Sequence, residues 1–432
     1  MTNSALPAGE DVTERRIRGR ALTAGAQKRG RSVEPVRARD GALRPVSTPA
    51  VALVTGFGPF GTDTYLPALP AVALALAVPA ATAQLSITVF LVGLAIGQLL
   101  AGPISDAAGR RVLLLVGGAA LVVTSGLCIV AQDAGTLLAA RAVQGLAAGT
   151  GSAIGVAVVS DRYSGTEAAA RFGTLSAIRL IAPVIAPGIG GLILVVSDFR
   201  GVFVFMTAMS ALVLLVAAVG IPETLEPGRR QPAGLRHLGA RVTDLLRLPA
   251  FRAPVIVQCL ATAGFFVYIG GSSFVLQQQL GIDDRLYSVV FATDAAAMVV
   301  TSVLFRRFIV RVPAARLRAV GLWMSSSGAA ALLVLELVTA GGAGLAAVWV
   351  LLGIAVAGNG FCIPATTVLA QEAGRASAGT AASRSGGLAF LVGALTTPLT
   401  GLIGIQTVLV LALGMTVLSS AALVVSRLLP RG

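Results

Sequence analysis

Histidine, lysine and cysteine are almost missing from this 432-residue sequence, which has one histidine (His237), one lysine (Lys28) and three cysteines (Cys128, Cys259 and Cys362). The cysteines stand singly inside apolar runs, far from any metal-ligand spacing, which excludes a zinc site or a disulfide framework. Paired carboxylates, a histidine cluster and an exposed nucleophile are missing too, so an enzyme embedded in the membrane is disfavoured. Charge is scarce as well: 12% of residues are charged, against about 25% in soluble domains. In contrast, 56% are hydrophobic and the mean hydropathy is +0.87. Polar groups could not cover such a surface. The apolar excess must face lipid, where only helices or closed barrels satisfy every backbone group.

Residues 1–48 hold ten basic and five acidic residues among Ala, Gly, Pro and Ser. They lack apolar periodicity and the short apolar core of a signal peptide, and read as a disordered basic tail. From Val51 onward, stretches of about 20 apolar residues recur, each long enough to cross about 30 Å of hydrocarbon. They lie near 51–76, 85–105, 112–131, 136–160, 172–196, 202–221, 252–279, 286–305, 317–339, 344–370, 379–403 and 406–426, predicting an all-α membrane protein of twelve transmembrane helices.

Arg and Lys side chains are retained on the cytoplasmic side. The tail, the even-numbered connections and the C-terminus carry 29 of them and the odd connections only Arg200 and Arg285, with Arg141 and Arg179 left inside helices. Both termini are therefore expected in the cytoplasm. The net charge of +14 is a membrane-orientation signal, and no nucleic-acid partner is implied. The one long connection, 222–251, holds four prolines and most of its charge as arginine; it separates a six-helix half, 49–221, from a second, 252–427. An offset of 211 pairs Gly149 with Gly360, Asp161 with Glu372, Pro187 with Pro398 and Gly190 with Gly401, the layout of a parallel internal repeat.

Gly56, Gly58 and Gly61 spell a dinucleotide fingerprint, but it lies within the first apolar segment, interrupted by Pro59 and with no strand before it, so helix packing is the better reading. Asp63 lies about 18 Å into that segment at 1.5 Å per residue, near the bilayer midplane. A carboxylate there must face a watery cavity, meet a cation or take up a proton; a structural cap beside Pro67 is the bland option.

Three further stretches have the spacing of known motifs. Gly102-Pro103-Ile104-Ser105-Asp106-Ala107-Ala108-Gly109-Arg110-Arg111 resembles motif A of the major facilitator superfamily, G-x-x-x-D-x-x-G-R-R/K, at its usual place after the second helix. Gly109 would permit the turn, and Asp106 could sit against a helix N-terminus; positive-inside retention alone also accounts for Arg110 and Arg111. Arg141-Ala142-Val143-Gln144-Gly145 resembles motif B, although an arginine there could simply snorkel outward. Gly145 and Gly149 form a small-residue face suited to the first or second helix. Pro183, Pro187, Gly188, Gly190 and Gly191 resemble motif C, found in antiporters of the superfamily.

With Thr62-Asp63-Thr64-Tyr65-Leu66-Pro67-Ala68-Leu69-Pro70 and Ala378-Gly379-Thr380-Ala381, these stretches resemble the bicyclomycin and chloramphenicol resistance (Bcr/CflA) group of drug/proton antiporters across residues 50–427. The resemblance implies the major facilitator fold and alternating access, with export of amphipathic drugs from the cytoplasm driven by the proton gradient and no other cofactor. It implies that Asp63 carries the proton and Arg141 tunes it. It further implies a central cavity lined by Tyr65, Phe265, Phe266 and Tyr268, and a monomer in the plasma membrane. A dedicated exporter of one endogenous solute would show the same motifs. Arg179 and Asp294 are charges where such relatives are usually neutral, and an ion pair between the halves is expected from them.

Overall fold

The computed structural model describes residues 46–163, 165–226, 228, 230, 249–373, 378–403 and 406–428. The tail before residue 46 and most of the 222–251 connection lie outside them.

The described residues form α1 (Thr48–Asp63, continued by a 3-10 turn Leu66–Ala68 into Leu69–Ala75), α2 (Ala80–Ala108), α3 (Arg110–Val130) and α4 (Ala134–Arg162). Next come α5 (Gly165–Val196), α6 (Phe199–Gly220), α7 (Pro249–Phe274, closed by a wide turn Val275–Gln279) and α8 (Asp284–Phe308). The chain ends with α9 (Ala314–Val338), α10 (Leu345–Ala373), α11 (Ala378–Thr396, followed by Leu399–Leu402) and α12 (Val408–Leu428). All twelve predicted segments are thus helical. Nine of the described helices are long and apolar enough to cross a membrane by themselves. In α1 the regular helix ends at Asp63, where Pro67 and Pro70 withhold donors; among the described residues α5 and α11 contribute the shorter apolar stretches Ile181–Val196 and Gly387–Leu402.

Three helix starts at the same end of the molecule are built alike. Asp133, Asp198 and Asp283 cap α4, α6 and α8 by accepting from the backbone N–H of Thr136, Arg200 and Leu286. Thr136 also donates its hydroxyl to Asp133, and these bonds hold that carboxyl below the ordinary carboxylate range.

The packing repeats. α2 lies on α4, α3 on α4 and α6, and α1 on α5; adding six to each number gives α8 on α10, α9 on α10 and α12, and α7 on α11, all of which are also in contact. The two sets of six meet through α5 with α8 and α2 with α11. Glycine makes the matching contacts close: a Cβ on Gly149 of α4 would strike the Leu94 carbonyl of α2, and one on Gly360 of α10 the Met298 carbonyl of α8. Gly145 presses in the same way on the Phe90 carbonyl of α2, so the small face of α4 serves α2.

Candidate functional site

Asp63 is the last residue of the regular part of α1, and the three-residue 3-10 turn begins just beyond it. It is 7% exposed and has no hydrogen bond or ion pair among the described residues. The break is clamped from behind by motif C. α5 runs unbroken through Pro183 and Pro187, which brings Gly190 against the Thr64 carbonyl and Gly191 against Ser288 of α8. A side chain at either glycine would push these helices apart. Gly188 faces open space and plays no part in the contact.

Arg141 is fully buried, so it does not snorkel. Its Nη1 donates to the Gly61 carbonyl at 3.1 Å and to Gln144 Oε1 at 2.6 Å. The guanidinium lies 4.3 Å from the centre of the Phe90 ring and 4.8 Å from that of Tyr65. Gln144 in turn donates to Ser125, whose hydroxyl is 3.2 Å from that of Ser210, so the array crosses α1, α2, α3, α4 and α6. The expected partnership with Asp63 is not a contact in this conformation. Arg141 instead grips the carbonyl two residues earlier, which helix geometry exposes at the break.

The aromatic residues do not form one lining. Phe265 stacks on Tyr268 at 6.2 Å between ring centres, Tyr268 on Phe291 at 5.5 Å, and Phe266 meets Phe390 edge-on at 5.7 Å. Tyr65 stands apart from them, its ring 5.2 Å from Phe203 and its hydroxyl 3.0 Å from that of Ser86. Tyr268 donates to Asp294 Oδ2 at 2.9 Å, and Tyr287 lies 3.2 Å from Ser272. Phe90, Tyr287, Phe291 and Ser86 were not singled out from sequence; an aromatic in a lipid-facing span looks the same as one facing inward. The side chain of Arg179 lies outside the described residues, and with it the expected Arg179–Asp294 pair.

At the end holding the termini, Gly109 takes φ +101°, the turn only glycine makes cheaply. Arg110, 7% exposed, pairs with Asp106 at 2.7 Å and Asp161 at 3.1 Å and also meets the Ser105 hydroxyl. Asp106 therefore serves the arginine four residues on. Arg111 donates to the Ala218 and Ile221 carbonyls at 2.7 and 2.8 Å, capping α6. Glu223 accepts from the backbone N–H groups of Arg110 and Arg111 at 3.0 and 3.2 Å, caps α3, and was not foreseen. Both arginines thus do more than mark a membrane side. No contact explains Gly102.

The family model described as Major Facilitator Superfamily matches residues 51–398. The chain is 31% identical over 347 residues to the "Uncharacterized MFS-type transporter YdgK" of Bacillus subtilis (strain 168), covering 80% of this chain and 86% of that one. It is 30% identical to the "Multidrug resistance protein MdtL" of Klebsiella pneumoniae (strain 342), a match that spans 55% of this chain and 60% of that protein's length. In fold it is similar to the bacterial homologue of the human lysosomal transporter Spinster, with a TM-score of 0.69 at 15% identity, covering 88% of this chain and 96% of that one. Twelve helices in a repeated pattern and a family match over most of the length agree: the chain belongs to the Major Facilitator Superfamily, and is a multi-pass membrane transporter.

Proposed function

We propose that this transporter exports amphipathic drugs from the cytoplasm in exchange for protons, as the Bcr/CflA-type resemblance implies, with both termini cytoplasmic as the Arg and Lys distribution requires. The observation that carries this reading is Asp63: a carboxylate at the break of an apolar helix, buried, and without a fixed partner among the described residues. A permanent ion pair would lock it in one charge state. Left free, it can take a proton from one side and surrender it when a substrate arrives from the other. The multidrug resistance proteins among the relatives support the substrate class.

Alternating access needs one end shut while the other is open. Here hydrogen bonds between the first six and the last six helices gather at the end away from the termini. Gln84 of α2 donates to the Gly270 carbonyl at 2.9 Å and the Thr400 hydroxyl at 3.2 Å and accepts from the Gly401 N–H at 3.1 Å. Gln277 donates to the Pro67 carbonyl at 3.0 Å. With cytoplasmic termini this is the external end, so the conformation is one that receives substrate from inside.

The decisive experiment uses everted vesicles with an acidic lumen and an electroneutral drug. Wild-type protein should accumulate the drug, and Asp63→Asn, which cannot exchange a proton, should lose gradient-driven accumulation while remaining inserted. Wild-type accumulation by Asp63→Asn would refute the proton role. A drug panel in an efflux-deficient host that shows no protection would point to a dedicated metabolite exporter.

A further inference from the structure

A second carboxylate, Asp294, is used by nothing in this scheme. It sits ten residues into α8 and is 1% exposed. Its Oδ2 accepts from Tyr268, whereas Oδ1 accepts no hydrogen bond among the described residues. A Cβ added to Gly353 of α10 would stand 3.0 Å from Oδ1, so a side chain there would crowd the oxygen. The space it faces is a cavity of about 410 Å³ between α8, α9 and α10, lined by Asp294, Gly353, Thr293, Met324, Trp349 and Val350 among others.

The rim tells where the cavity opens. Val350 is 61% exposed and Ile354 39%, both on the apolar span of α10, so the mouth faces hydrocarbon. Trp349 is fixed at the rim by its indole N–H, which donates to the Thr293 hydroxyl at 2.9 Å. The pocket thus has an apolar mouth, a tryptophan face, a polarisable thioether from Met324 and one unshared carboxylate oxygen at its floor. Its volume is in the usual range for small-molecule sites, roughly 300 to 1,000 Å³. A tryptophan face and a carboxylate in low dielectric both select for positive charge, and the route through lipid selects for an apolar body.

We propose that this lateral pocket binds lipophilic ammonium ions that reach it from within the bilayer, the cationic nitrogen against Asp294 Oδ1 and the apolar body against Trp349 and Met324. The proposal deepens the drug-export reading and rests on it for the fate of the bound cation, which is held one Tyr268 hydroxyl away from the central aromatic cluster. Binding itself does not depend on Asp63.

The test uses the full-length protein in lipid nanodiscs with Trp323→Phe, which leaves Trp349 as the sole tryptophan of the two in the chain. Its fluorescence is titrated with a nitroxide-labelled quaternary alkylammonium, a neutral nitroxide ether of equal chain length, and nitroxide-labelled phosphatidylcholine. The ammonium should quench at about one-tenth the concentration needed by the ether, because a charge-assisted contact is worth about a factor of ten or more. Asp294→Asn should erase that difference. Gly353→Leu, which fills the space at Oδ1 and keeps the carboxylate, should weaken quenching by the ammonium about tenfold and serves should Asp294→Asn not fold. Equal quenching by ammonium and ether, or indifference to both substitutions, would overturn the proposal. Quenching by the phosphatidylcholine as strong as by the free ammonium would overturn it in favour of a lipid headgroup site. Introducing Asp63→Asn should leave the titration unchanged even if it stops transport, so a failure of proton coupling and a failure of this pocket are separate results.

Discussion

At the end of the molecule that holds the termini, charges tie together helices of the first six; at the opposite end, uncharged amides tie the first six helices to the last six. Arg110, Asp106, Asp161, Arg111 and Glu223 link α2, α3, α4 and α6. Gln84 and Gln277 link α2 and the α1 break to α7 and α11. The chemistry suits the duty. A contact that must persist through every cycle benefits from charged groups whose separation leaves a costly unpaired ion. A contact that must break in each cycle is better made from neutral hydrogen bonds, each worth roughly 1 kcal/mol net. Its partners can then rebond to water without a large barrier.

Removing the persistent contact should have the larger effect on stability. Arg110→Leu leaves Asp161, whose side chain is 17% exposed, with the Thr224 hydroxyl but no counter-charge, and strips the arginine from Asp106 and Ser105 at the α2–α3 turn. We expect a loss of about 3 kcal/mol in unfolding free energy, toward the lower bound for breaking a buried pair. Thermal unfolding in detergent measures it. The opening equilibrium between the two sets of helices should hardly move, and a shift of that equilibrium as large as the stability loss would erase the distinction between the ends.

Gln84→Leu should do the reverse. It removes three hydrogen bonds across the interface, worth roughly 3 kcal/mol together, and so should move the closed-to-open ratio at that end by about 150-fold. Spin labels at the exposed positions Ser197 and Gln278, on opposite sides of the interface, report the separation. A distance distribution unchanged from the parent would show that Gln84 fills space without holding the end shut.

Some of this was readable from sequence and some was not, for physical reasons. Twelve spans follow from hydropathy because lipid tolerates no alternative, and the break in α1 is written in Asp63, Pro67 and Pro70 within two turns. Gly109 was legible because a positive φ after a helix calls for glycine. The Gln84 clasp was not, since its partners lie 186 to 317 residues away and nothing in a polar residue near a helix start names them. Arg141 shows a different limit. Its burial follows from position, but its guanidinium has five donors, and the choice between the Asp63 carboxylate and the Gly61 carbonyl depends on a rotation of α1 that the sequence does not reveal. Glu223 lay hidden in a connection that read as a charged linker.

The smallest effect sharpens the comparison within the charged end itself. Asp106 and Asp161 both hold Arg110, yet the Asp106 side chain is 47% exposed and shares a short local stretch with its partner, whereas Asp161 is 17% exposed and comes from α4. Water screens the first pair, and Arg110 is held by Asp161 as well, so Asp106→Asn should cost only about 0.3 to 0.5 kcal/mol in unfolding free energy. Transport should suffer more than that figure suggests if Arg110, released from Asp106, follows Asp161 alone and alters the α2–α3 turn. We therefore expect a reduced turnover with substrate affinity retained, read from transport rates and equilibrium binding on the same preparation. Equal losses in both would place Asp106 at the substrate, and a stability loss as large as that of Arg110→Leu would mean that the exposed pair, not the helix-to-helix one, holds this end together.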